Sequence, residues 1–362
     1  MSARVFVYFV YFVVCFLCTV MHAIRRAVID VGTNSVKLLV ADLAGHAIQP
    51  ICEQSKQTRL GHGFYETHRL QTEAIAATAN AVADFAAVAH QAQAVSIRVF
   101  ATSAAREAVN REELIAAIEQ ASGLKVEVIS GEQEAEWGFQ GVTSDPQLAR
   151  APLLLVDVGG GSTQFVFGSG GRVLFRHSFP VGSVRLLETI PCSDPPQPAE
   201  LAACRQWLKD FLRNEVRPNL MPAIEGVTAA GGIEQSLTAS VATGTRGGLL
   251  LVGVGGTATI LGCMEAGLET FDRARIEATR LTAARLSWHL DRLWSLPLEQ
   301  RKATIGLPKN RADIILMGVA VYGAVMDEFG FLELRLSTRG LRFAALIQPS
   351  LKRPCRDGAQ SP

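Results

Sequence analysis

The run LLLVDVGGGSTQFVFG, from Leu153 to Gly168, sets two apolar, strand-like halves on either side of a turn made of Gly159, Gly160, Gly161, Ser162 and Thr163. Asp157 stands just before the turn and Gln164 just after it. A turn so bare lets a ligand approach the backbone and lets several N–H groups converge on one anion, while hydroxyls add donors. Alone, it reads as a tight hairpin. The plan recurs, however, in AVIDVGTNSVKLLVAD (27–42), where Gly32, Thr33, Asn34 and Ser35 form the turn after Asp30. A third turn, in LVGVGGTATIL (251–261), has Gly255, Gly256 and Thr257 leading from a strand into a helix, whose unpaired N–H groups and positive dipole end would add to an anion site. Three such turns, two of them after Asp-Val-Gly, point to phosphate oxygens as the ligand. Asp30 and Asp157 end apolar strands, where an unpartnered carboxylate is costly to bury. Each either caps its own turn or faces a cleft and holds a divalent metal, for which magnesium is suited.

Working outward, strand-like runs fall at 26–31, 36–41, 46–58, 95–101, 152–157, 163–168 and 171–179, with KVEVI between them. Helices are predicted over 72–92, from an Asn110 cap to 121, after the S-x-x-Q box at Ser130, and around 197–217, 256–266, 282–295 and 310–329. In the helix after Thr282, Leu286, Leu290, Leu293 and Trp294 share one face. The alternation argues for an α/β fold. The echo between the two hairpins argues for two similar lobes facing each other across a cleft. Residues 226–248 read as a loop or insertion, and the tail after Pro349 as disordered.

The 362 residues are enough for two domains, and 48% hydrophobic with 19% charged residues excludes a disordered chain. A net charge of +1 advertises no nucleic acid or other polyanion partner, so any anion site must be built locally. Seven scattered cysteines suit a reducing, cytoplasmic setting, and the one CxxC pair, Cys15 with Cys18, has no second pair with which to hold zinc. Residues 1–20 are apolar. Because RRAVIDVG already reads as a core strand and Met21 lies directly before HAIRRAVID, they are expected to be an upstream extension outside the fold; a membrane anchor is the alternative.

Further stretches, in order, carry a resemblance: KQTRLGHGF, FATSAAREAVN, VISGEQEA, PVGSVRLLE, GVGGTATIL, GLPKNRADIILMG and STRGLR. With the two Asp-Val-Gly hairpins they resemble the exopolyphosphatase / guanosine pentaphosphate phosphohydrolase family, from about residue 26 to 347. The resemblance implies two actin-like, ribonuclease-H-like lobes around a central cleft: residues 21–132 with a C-terminal return at 333–348, and residues 133–332. It implies magnesium or another divalent cation, and release of terminal orthophosphate from inorganic polyphosphate or from guanosine pentaphosphate. It leaves a homodimer open.

Glu134 matches the family's catalytic acid, which would orient or deprotonate water; it could otherwise simply complement the helix dipole. Arg106 matches a phosphate-binding arginine and could otherwise pair with Glu107 or Glu112. Lys37 follows the first turn along the substrate path. Lys56, Arg59 and Arg185 could line a track for a long polyanion. Ser35 and Ser162 have no His or Lys base paired with them in the sequence, which disfavours a covalent route. Three positions depart from the family pattern: Gln164 and Thr338, where it carries acids, and Glu136, where it often carries Arg. Gln164 brings no charge to a metal shell, so weaker metal dependence, slower turnover or a binding regulator would follow.

Overall fold

The computed structural model describes residues 23–45, 47–190, 192–229 and 248–348. The first hairpin pairs β1 (Ile24–Val31) with β2 (Ser35–Ala44), and β3 (Ala47–Gln57) lies outside β2; all these pairings are antiparallel. On the other side of β1, β4 (Ser96–Ala101) and β5 (Val126–Val128) run parallel to it, giving the order β3-β2-β1-β4-β5. The second sheet repeats this. β6 (Leu153–Val158), β7 (Thr163–Ser169) and β8 (Arg172–Phe179) form the antiparallel part. β9 (Leu250–Val254) joins β6 in parallel. β10 (Arg280–Thr282) edges β11 (Glu333–Leu336), which runs parallel to β9, so the order is β10-β11-β9-β6-β7-β8. The two hairpins that are alike in sequence thus start two sheets of like topology, as an actin-like, two-lobed molecule requires.

The inner part of β1, Ala27 to Ile29, is apolar on successive residues because both of its faces are covered. Ala27, Ile29 and Val31 pack under the helix Thr72–Gln91, whose Ile75, Ala79, Val82 and Ala86 form its inner stripe. Val28 points the other way, into a cluster with Leu39, Phe100, Trp137 and Phe343. The helix Gly131–Thr143 therefore has two apolar faces. Trp137 belongs to the first sheet, while Ala135, Phe139 and Val142 pack with Leu155, Val166 and Val252 of the second. Wedged between the sheets, this helix carries its first turn to the junction of the lobes.

Ser130 caps its helix as the spacing predicts, its Oγ accepting from the Gln133 N–H at 3.1 Å, which is the serine half of a capping box. Asn110 precedes its helix, Arg111–Ser122, but its side chain turns away and brackets Leu70, accepting from its N–H at 2.9 Å and donating to its carbonyl at 3.1 Å. A buried loop needs that amide more than an exposed helix end does. Other boundaries move as well. The helix expected over 197–217 continues as Pro198–Phe211, a π turn at Leu212–Val216 and Arg217–Ala229, so residues 226–229 are helical. The helix expected from 310 starts at Ile315, after a 3₁₀ turn at Lys309–Arg311. Residues 333–336, expected to return to the first lobe, pair in the second sheet as β11. The crossing back is made by the helix Leu341–Ile347, with Arg26 Nη1 donating to the Leu346 carbonyl.

No helix among the described residues is long and apolar enough to cross a membrane. The expectations for residues 1–20, for 230–247 and for the tail after Pro349 lie outside the described residues.

Candidate active site

The two hairpin turns share one design. Gly32 N–H donates to the Ser35 carbonyl at 3.1 Å, and Gly159 N–H to the Ser162 carbonyl at 3.0 Å. Across the strands, Asp30 faces Lys37 and Asp157 faces Gln164. The turns meet. A Cβ on Gly161 would lie 2.3 Å from Tyr65 Oη and 2.5 Å from Ser103 Oγ, and one on Gly160 would lie 3.0 Å from the Cβ of Thr33. The glycines are needed for this backbone approach as well as for any ligand. Gly255, at φ +89°, opens the helix Gly255–Glu265, and a Cβ there would reach 2.2 Å from Asp157 Oδ1.

A cavity of about 500 Å³ lies where the turns converge. It is lined by Asp30, Gly32, Thr33, Asn34, Ser35 and Lys37 from the first lobe, and by Asp157, Gly159, Gly160, Gly161, Ser162 and Gln164 from the second. Gly255, Gly256 and Thr257 close one side, and Glu134 stands in the same wall. Asn34 Oδ1 accepts from Gln57 Nε2 at 3.3 Å, while its buried Nδ2 has no protein partner and so suits a ligand oxygen.

Burial pushes the Glu134 carboxyl up to about 7, opposed by Arg106 and reinforced by the charges of Asp157 and Asp30. Burial likewise raises Asp157 to about 6, with Lys37 opposing and Asp30 adding to it. Asp30 is raised by burial against Lys37 and Arg342, and burial lowers the Lys37 ammonium.

Two expected residues lie elsewhere. Thr163 faces away, donating its hydroxyl to the Val181 carbonyl, because strand alternation puts it opposite Ser162 and Gln164. Arg106 stands behind the cavity wall. Its Nη1 donates to Glu134 Oε2 at 3.1 Å and to the Ile129 carbonyl at 3.0 Å, so its partner is neither Glu107 nor Glu112. Nor do the three outer cations form a track. Lys56 pairs with Asp84, Arg59 with Asp313, and Arg185 with Glu107 while its Nε holds the Gly161 carbonyl at 2.8 Å.

Other residues join the wall unannounced. Arg311 donates to Ser35 Oγ at 2.7 Å, and burial lowers its guanidinium to about 10. Arg342 pairs with Glu53, which also takes Arg273. Both Arg311 and Arg342 sit in the motifs GLPKNRADIILMG and STRGLR, which was the available signal.

The departures have local explanations. Gln164 uses its amide to donate to Ser162 Oγ and Ser178 Oγ, each at 2.9 Å. Glu136 pairs with Arg176. Thr338 holds Glu277 through both N–H and hydroxyl, so an acid from another helix stands beside the position where the family carries one.

For a divalent metal, Asp30 and Asp157 are buried carboxylates lining one cavity, which fits magnesium bound by one or two carboxylates together with water and substrate oxygens. Among the described residues, no three acidic, His or Cys side chains form a cage of their own.

Residues 39–351 match the model of the Ppx/GppA phosphatase family. The chain is 35% identical over 306 residues to exopolyphosphatase 2 of Mycobacterium tuberculosis, covering 82% of this chain and 88% of that one. The crystal structure of the Aquifex aeolicus Ppx/GppA family member superposes with a TM-score of 0.68 at 28% identity, covering 90% of this chain and 96% of that one. An exopolyphosphatase from Cytophaga hutchinsonii shares the fold at a TM-score of 0.74 and 22% identity, over 89% and 96% of the two chains. With its paired turns, its wedged helix and these likenesses in agreement, the chain belongs to the Ppx/GppA phosphatase family.

Proposed function

We propose that this phosphohydrolase releases terminal orthophosphate from inorganic polyphosphate, and that Glu134 orients and deprotonates the attacking water. One observation carries the reading: a carboxylate tuned to about 7 faces the same cavity as both glycine turns. The M. tuberculosis relative's name, an exopolyphosphatase, supports it. Amides of the turns, with Asn34 and the hydroxyls of Thr33, Ser35, Ser162 and Thr257, would hold the terminal phosphate. Lys37 and Arg311 would offset its charge. Glu134 takes the proton of the water as oxygen attacks phosphorus, and the anhydride oxygen leaves with the rest of the chain. Arg106 holds Glu134 in place from behind. Asp30 and Asp157 would hold magnesium, which supplies charge neutralisation at the phosphate oxygens when bound. The free thiols of Cys52, Cys192, Cys204 and Cys263 agree with a cytoplasmic enzyme.

The test is orthophosphate release from polyphosphate, guanosine pentaphosphate and ATP with magnesium. Glu134→Gln should lose about 10²–10⁴-fold in kcat, the usual worth of a positioned base; full activity in that variant would remove Glu134 from the chemistry. Guanosine pentaphosphate is the alternative substrate, and one feature favours it: the half-exposed ring of Phe271, the one aromatic among the described cavity-lining residues.

A further inference from the structure

The second glycine turn is gripped by its carbonyls. Three in succession bond to the segment that opens the helix Ser183–Thr189. The Gly159 carbonyl accepts from the Ser183 N–H at 2.9 Å and from the Ser183 hydroxyl at 3.3 Å. The Gly160 carbonyl accepts from the N–H groups of Val184 and Arg185, at 2.8 and 3.1 Å. The Gly161 carbonyl is taken by a side chain, Arg185 Nε, at 2.8 Å. A Cβ on Gly182 would lie 2.5 Å from the Gly160 carbonyl oxygen, so the segment comes this close only as glycine.

In a trans peptide the C=O and the N–H that follows it point in opposite directions. Carbonyls drawn to one side therefore aim the next three N–H groups, those of Gly160, Gly161 and Ser162, to the other. Among the described residues none of these three N–H groups has a backbone partner, and all three residues line the cavity. Successive N–H groups with a common aim form a concavity for an anion. The first turn is held likewise, by backbone alone: the Gly61 N–H donates to the Thr33 carbonyl at 2.7 Å, and the Thr58 and Arg59 N–H groups to that of Asn34 at 3.1 and 3.0 Å. Arg185 is the side chain that completes the grip in the second lobe, and it is locked from the first. Its Nη2 reaches both oxygens of Glu107, at 2.8 and 2.7 Å, and Ser103 Oγ donates to Glu107 Oε1 at 2.9 Å. Its guanidinium lies over the Tyr65 ring, 4.1 Å from the centroid. A tie between lobes needs only a cation facing Glu107; the bond from Nε to a turn carbonyl goes beyond it.

We propose that Arg185 is a positioning residue for phosphoryl transfer: its Nε–H holds the Gly161 carbonyl off the cavity and so aims the Ser162 N–H at a phosphate oxygen on which charge builds. This rests on the phosphohydrolase reading above. Arg185 acts through the turn and does not touch the substrate. A donor fixed before the reaction needs no reorientation as charge develops, and deleting one such donor lowers kcat by about 10²–10³-fold. A donor misaimed instead of deleted should lower it by about tenfold or more.

The test sets Arg185→Lys beside Arg185→Ala. A lysine ammonium keeps a charge facing Glu107, and with it the tie between the lobes, but has no donor at the Nε position. Arg185→Lys should melt close to the wild type and yet lose about tenfold or more in kcat on polyphosphate. Its KM should change little, because the other amides still hold the phosphate. Arg185→Ala should lose both kcat and thermal stability. The direct readout is the amide NMR spectrum titrated with inorganic phosphate. In the wild type the N–H resonances of Gly160, Gly161 and Ser162 should all move; in Arg185→Lys that of Ser162 should stop responding while the other two still do. A lysine variant with full kcat, or one whose Ser162 amide responds as in the wild type, would overturn the proposal. If the wild type releases no orthophosphate and yet shows these amide responses, with that of Ser162 lost in Arg185→Lys, the phosphohydrolase reading fails and the aim of the turn by Arg185 stands.

Discussion

At the scale of single residues, the proposed role of Glu134 makes a prediction about pH. A base works only when deprotonated, and burial has raised this one to about 7. Below that value kcat/KM should therefore fall about tenfold per pH unit, and above it level off. Arg106 is the charge that opposes the rise, bonded at 3.1 Å. Arg106→Gln should move the acid limb to higher pH by about one unit, the usual effect of one adjacent guanidinium. A pH–rate profile with an unmoved midpoint would show that Arg106 does not tune the acid. Gln164 sits directly across from Asp157, whose carboxyl is already raised to about 6. Gln164→Glu adds a like charge there, and the hydroxyls of Ser162 and Ser178 can turn to donate to it. The variant should melt lower than the wild type in EDTA, regain that loss in magnesium, and turn over faster there. Thermal melts with and without the metal check the first two, and phosphate release checks the third; identical melts would mean that position 164 does not sense a cation.

At the scale of elements, the hairpins were legible because their chemistry is local: a strand, an acid, a bare turn and a second strand lie within sixteen residues. The strand pairing then makes the echo quantitative, Asp30 opposite Lys37 and Asp157 opposite Gln164, so a cation in one lobe answers to an amide in the other. Period-two alternation would have excluded Thr163, which has the opposite parity to Ser162 and Gln164. What sequence could not supply is the partner arriving from far along the chain. Arg311 reaches Ser35 across 276 positions, and Arg342 meets Glu53 across 289. Asn110 misled for the same reason, since Leu70 claims it from forty residues away. Contact between turns is equally non-local, and it makes a prediction. Gly161→Ala drives a methyl into Tyr65 and Ser103 of the first lobe and to within 3.0 Å of Thr33 Oγ1 in the first turn, pushing the second turn away from it. It should cost about 1–3 kcal/mol of stability, as overpacking does, and cut kcat more than KM. Pairing it with Tyr65→Phe removes the nearer of the two obstacles and should recover part of both. Unaltered activity in Gly161→Ala would mean that the turns need not touch.

At the scale of the whole molecule, the two lobes are joined in two different ways. On one side the joint is apolar: the helices Gly131–Thr143 and Leu341–Ile347 pack Trp137 and Phe343 against the first sheet. At the cavity it is ionic. Glu53 of β3 takes both Arg273 and Arg342, and Arg59 pairs with Asp313 at 3.0 Å. Arg273 lies outside the cavity lining and Arg342 within it, so Glu53 ties the lobes through Arg273 and, under the proposed function, would compete with a polyanionic substrate for Arg342. Glu53→Gln should separate those effects. Removing one partner from a largely buried ionic cluster leaves cations unpaired, and the melting temperature should fall. The cavity also loses a negative charge, so KM for polyphosphate should fall too, most clearly at low ionic strength. The two changes have opposite consequences for the enzyme, tighter substrate binding against a less stable body, which is the balance expected where a binding site is built from groups the fold also uses. Raising salt to about 1 M, where the Debye length is about 3 Å, should erase the gain in KM while leaving most of the stability loss, because the cluster is mostly shielded from solvent. A rise in KM would mean that Glu53 does not contend with the substrate for Arg342, and a melting temperature that does not move would mean that it does not tie the lobes.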